Sequence, residues 1–80
     1  MINQTKMIGE IKIFSGNFEP QGWMFCDGRK LKVSRYEILF SILGISYGGD
    51  SEYFNLPNLS HSSGVKYIIC VEGDYPQRSL

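Results

Sequence analysis

No run of this sequence approaches the roughly 20 apolar residues that a membrane-spanning helix needs, so membrane insertion is not expected. The opening Met1-Ile2-Asn3-Gln4-Thr5-Lys6 leads into no apolar stretch of the kind a secretory signal carries. The expectation is synthesis in a cytoplasm without a signal peptide. Net charge is lacking too: eight Lys and Arg offset eight Asp and Glu. Non-specific nucleic-acid binding requires a basic surface, so nucleic acid is not an expected partner. The same balance leaves little repulsion to oppose self-association. Histidine occurs once, at His61, and cysteine twice, at Cys26 and Cys70. One histidine builds no zinc site in a single copy, and the two cysteines lack ligand spacing. Each cysteine sits in an apolar run, as buried reduced thiols do; a Cys26–Cys70 bridge is the open alternative. A Cys26–His61 thiolate pair would have no evident third group to orient it. The Gly48-Gly49 pair lacks the strand before and helix after that a phosphate-binding loop needs. Asp27, Asp50 and Asp74 each adjoin glycine, where aspartate serves turns through local hydrogen bonds. Catalytic residues, cofactors and metal ligands are therefore not expected, and neither is an enzyme.

What is present is enough apolar material for one small domain. Hydrophobic residues make up 42% and aromatic residues 14% of 80 residues, which rules out a disordered chain. A chain of this size is marginally stable alone unless it packs well or associates. The organising stretch is 33–49. Ser34 reads as a helix N-cap, with Glu37 three residues on completing a capping box and Val33 and Ile38 placed for a hydrophobic staple. Tyr36, Leu39, Phe40 and Leu43 fall on one helical face, widened by Ile38 and Ile42. Gly44 stops the helix and Gly48 and Gly49 turn the chain.

Around this helix the sequence reads as short strands. Residues 1–6 form an arm, and 7–78 the domain. Residues 8–14 alternate, with Ile11 and Ile13 expected inward and Glu10 and Lys12 on the wet side. Residues 23–26 alternate as Trp23 and Phe25 against Met24 and Cys26. Asp27-Gly28 signals a tight hairpin into a returning strand over 29–32, with Leu31 inward. Pro57 argues against a central strand across Phe54, Leu56 and Leu59, so that stretch is expected to lie irregularly over the core. Residues 60–64 read as loop. Residues 65–72 form the last strand, with Val65, Tyr67, Ile69 and Val71 on one face and Ile68 and Cys70 on the other. Apolar residues on both faces mark a central strand, or one whose second face meets another subunit. The expected fold is α+β: a small, mostly antiparallel sheet with one short helix packed on it.

Four motifs in order carry a family likeness. Ile8-Gly9-Glu10-Ile11, Phe14, Gly16-Asn17-Phe18, Pro20, Gly22-Trp23 and Cys26-Asp27-Gly28 come first. Leu39-Phe40-Ser41-Ile42-Leu43-Gly44 with Tyr47-Gly48-Gly49-Asp50 follows, then Phe54-Asn55-Leu56-Pro57-Asn58-Leu59. Tyr67-Ile68-Ile69-Cys70, Gly73, Tyr75-Pro76 and Arg78 close the series. Together they resemble the phage tail-collar domain family, which also includes bacterial proteins described as microcystin-dependent. The chain departs from that pattern after Leu59. Where family members carry an Arg-rich turn and a long insertion, it has only Ser60-His61-Ser62-Ser63-Gly64. A receptor-contacting tip cannot be carried over.

The resemblance implies a structural, assembly role in a phage virion or tail-like particle, beside other tail or particle proteins. It implies a homo-oligomer, with three copies favoured. The interface is expected at Ile68 and Cys70. Three copies of His61 could meet on such an axis, although a solvated loop histidine is the simpler reading. The alternative function is recognition of a cell-surface glycan by exposed aromatics, with Tyr47 and Tyr53 the expected pair.

Overall fold

The computed structural model of the chain describes residues 6–59 and 65–74. The arm before Lys6, the loop 60–64 with His61, and the tail 75–80 lie outside the described residues.

Among the described residues five short strands and one α-helix follow in the order β1 (Ile11–Phe14), β2 (Trp23–Phe25), β3 (Lys30–Lys32), α1 (Glu37–Leu43), β4 (Tyr53–Asn55) and β5 (Lys66–Cys70). They form two small antiparallel sheets. The first has the order β1-β5-β2, so the last strand of the chain is its centre. The second pairs β3 with β4. The fold is α+β, as the sequence implies.

The centre of the first sheet follows from the two-faced pattern of β5. Ile11, Ile13 and Met24 lie on the face of Ile69 and Tyr67; Lys12, Phe14, Trp23 and Phe25 lie on the face of Ile68 and Cys70. The first of these faces meets α1 and the β3–β4 pair. Ile8, Cys26, Leu31, Leu39, Phe54, Leu56, Ile69 and Val71 are buried together there, with Tyr36, Phe40 and Leu43 of the expected helical face packed against them. The second face carries its own small cluster of Trp23, Ile68 and Cys70, flanked by Phe14 and Phe25. Cys26 and Cys70 are both buried and free, one in each cluster.

Three local readings change. The helix does not start at Ser34. Val33–Arg35 is a single 3₁₀ turn, Tyr36 occupies the N-cap of α1, and no side chain caps it. Val33 packs on the core while Ile38 stays 41% exposed, so the staple position is not used as such. The C-terminal stop is as expected: the Gly44 N–H donates to the Phe40 carbonyl and Gly44 has positive φ. Second, Asp27-Gly28 makes no hairpin. Asp27 accepts from the Arg29 N–H, the Gly28 N–H donates to the Pro57 carbonyl, and the chain crosses to the second sheet instead of returning beside β2. Third, residues 53–55 are a regular strand. Pro57 lies beyond its end and forbids nothing there.

Candidate functional site

The two outer edges of the first sheet differ, and the difference is set by backbone chemistry. In an antiparallel pair, successive residues alternate between aiming their N–H and C=O groups at the partner strand and aiming them away. On β2, the Cys26 N–H donates to the Tyr67 carbonyl and the Val71 N–H to the Gly22 carbonyl, so Trp23 and Phe25 aim outward. Both outward N–H groups are satisfied within the chain. The Trp23 N–H donates to the Pro20 carbonyl at 3.0 Å, and the Phe25 N–H to Glu19 Oε2 at 2.9 Å. Glu19 is held in place by Arg29, which also forms a two-pronged pair with Asp27, at 3.0 Å on each oxygen. Arg29 keeps the Asp27 carboxyl below its usual range. This edge is sealed.

On β1 the Cys70 N–H donates to the Glu10 carbonyl. The alternation then aims Lys12 and Phe14 at β5, and Ile11 and Ile13 outward. Among the described residues no group accepts from the Ile11 or Ile13 N–H. Their side chains are 40% and 62% exposed. Both lie on the core side of the sheet, as the alternation indicates. They are nevertheless uncovered: α1 is only seven residues, about 10 Å long, and its buried residue Leu39 packs in the cluster of Ile69, on the central strand. Ile42 of the helix lies close to Gly9, where a Cβ would be 3.3 Å from it. Ile38, Ile42 and Ile45 are also 41–56% exposed.

The residues expected to matter fall elsewhere. Ile68 and Cys70 are fully buried, with no exposed surface in the single chain. Their face is covered by Trp23, Phe14 and Phe25. Lys12 Nζ lies 4.6 Å from the Trp23 ring and Lys66 Nζ 5.6 Å from the Phe25 ring. A copy docking on that face would meet those side chains first. Tyr47 is 52% exposed. Tyr53 is half-buried, with Lys30 Nζ 5.2 Å from its ring. Among the described residues the two tyrosine rings make no contact with each other. The Gly48–Asp50 turn between them is structural. Asp50 accepts from the Glu52 and Tyr53 N–H groups at 2.8 and 3.0 Å, which lowers its pKa. A cleft of about 270 Å³ is lined by Phe25, Cys26, Asp27, Leu59, Lys66 and Tyr67, and neither Tyr47 nor Tyr53 borders it. No cluster of three potential metal ligands occurs among the described residues. Burial, together with the Asp27 charge, pushes the Cys26 thiol up to about 11, and burial raises Cys70 as well, so both are neutral at pH 7 and poor nucleophiles.

The sequence reading missed the Glu19 seal and the open β1 edge. Glu19 lies ten residues from Arg29 and six from Phe25, and no spacing rule joins them. The β1 edge had a signal, the apolar alternation itself, but alternation reports which face a side chain takes and not whether anything covers it.

Residues 9–63, more than half of the chain, match the Phage Tail Collar Domain, and the chain belongs to that family. It is therefore of a phage tail structural family. No helix among the described residues is long and apolar enough to cross a membrane. A 30-residue stretch is 53% identical to Protein RhiB of Rhizobium leguminosarum bv. viciae. That match takes in 38% of this chain and only 14% of RhiB.

Proposed function

We propose that the chain is an assembly module of a phage tail fibre or phage-tail-derived particle and works by self-association beside other tail proteins. The observation that carries this reading is the exposed apolar surface on β1 and on and just after α1. Ile11, Ile13, Ile38, Ile42 and Ile45 are each at least 40% exposed, on a domain of only 80 residues with no net charge to keep copies apart. Three copies about an axis is the arrangement the family likeness favours. Sedimentation equilibrium over a wide concentration range tests the reading. A mass that is a multiple of 9.1 kDa is the expected result, and a single-copy mass at millimolar concentration would count against it.

The glycan-binding alternative has less beneath it. Lys30 already occupies one face of Tyr53, which leaves Tyr47 as the freely exposed ring of the pair. Glycan-array binding by the multivalent protein, lost in Tyr47→Ala as well as in Tyr53→Ala, would revive it.

A further inference from the structure

We infer that two copies of this chain join edge to edge through β1, antiparallel and centred on Ile11, to make one continuous six-stranded sheet. The inference rests on the self-association reading and makes its contact a twofold pair, in place of the three copies that the family likeness favours.

The open edge supplies the template. An uncovered strand with outward N–H and C=O groups pairs with another strand unless charge, proline, a bulge or a covering segment prevents it. The β2 edge is prevented by Pro20 and Glu19. The outward groups of Ile11 and Ile13 have no such partner among the described residues.

Charge selects a second copy as the occupant and also selects the register. Glu10 and Lys12 lie on the same face, two residues apart and opposite in sign. With the twofold axis at Ile11, each Lys12 stands directly opposite Glu10 of the other copy. The contact thus carries two opposite-charge pairs. They occupy positions without mutual backbone bonds, where side chains approach most closely. Moving the axis to Lys12 would set the two lysines against each other, which is unfavourable. Centred on Ile11, the two Ile11 residues exchange their free backbone bonds. Ile13 then lies beside the Met7–Glu10 turn of the other copy, where the Gly9 N–H is already taken by the Cys70 carbonyl and Ile42 overhangs the glycine. The two most exposed features of this edge, Ile13 and the flank of α1, would cover each other.

Reciprocal charge exchange tests the contact. Glu10→Lys puts lysine opposite lysine in both pairs and is expected to weaken association about tenfold or more. Lys12→Glu is expected to do the same. The double variant Glu10→Lys/Lys12→Glu restores the opposite pairs and is expected to associate within about threefold of the unmodified chain. Ile13→Lys, which leaves the charges alone, is also expected to lower the associated mass. Far-ultraviolet circular dichroism and thermal melting establish that each variant folds. If the unmodified chain associates and the charge variants associate equally well, the β1 contact is wrong while self-association stands. If the unmodified chain is a single copy at every concentration, self-association itself fails.

Discussion

At the scale of single residues, the turn after α1 shows how one glycine can be obligatory. Gly49 has φ +125°, and a Cβ there would lie 2.4 Å from the Tyr53 carbonyl oxygen and 2.6 Å from Phe54 Cα. Those neighbours are backbone, so they cannot rotate aside. Gly49→Ala is expected to cost at least about 2 kcal/mol, read as a lower urea midpoint at unchanged slope. Cys26 gives a pH signature of the opposite edge of the range. Its folded pKa is raised from 9.0 to about 11, so the unfolded chain releases the proton first. Stability is fully present below about pH 9 and falls as pH rises toward 11, by the order of 2 kcal/mol for this group. A Cys26→Ala variant is expected to lose less stability over the same interval. The two faces of β2 and β5 were legible at this scale. Alternation placed Trp23 and Phe25 opposite Met24 and Cys26, and Ile68 and Cys70 opposite Tyr67 and Ile69, as the structure has them.

At the scale of elements, local signals succeeded where local chemistry decides and failed where long-range pairing does. The apolar face of α1 and its Gly44 stop follow from helical spacing and a glycine's backbone freedom. The start does not, because residues 33–35 tighten into a 3₁₀ turn anchored by the Val33 N–H on the Glu52 carbonyl. Ser34 is exposed and caps nothing. A true N-cap serine costs about 1 kcal/mol on truncation. Ser34→Ala is expected to change stability by less than about 0.5 kcal/mol, measured by chemical denaturation. The missing β2–β3 hairpin has the same kind of cause. Asp27-Gly28 has the composition of a tight turn, and Gly28 does adopt positive φ. The partner that takes the Gly28 N–H, however, is Pro57, some thirty residues on, and β3 pairs with β4 from beyond the helix. No dipeptide rule carries that information.

For the molecule as a whole, the described residues leave one sealed edge and one open edge on the same small sheet. The family, the α+β class and the central position of β5 were readable from motif order and apolar pattern. The open edge was not, because exposure depends on how far a seven-residue helix reaches across the sheet. The Ile68 and Cys70 expectation meets the same limit. Apolar residues on both faces of β5 suggest a partner in the sequence, and in the structure Trp23, Phe14 and Phe25 of the same chain pack on that face. The proposed assembly at β1 is tested most directly by amide hydrogen exchange at Ile11 and Ile13 as a function of protein concentration. Among the described residues these two N–H groups have no acceptor and exchange quickly in a single copy; in the paired sheet the Ile11 N–H donates across the contact and Ile13 is covered by it. Protection that rises with concentration at Ile11 and Ile13, while the Cys26 and Val71 amides stay protected throughout, is the predicted result. Rapid exchange at Ile11 and Ile13 at concentrations where the chain is associated would contradict it.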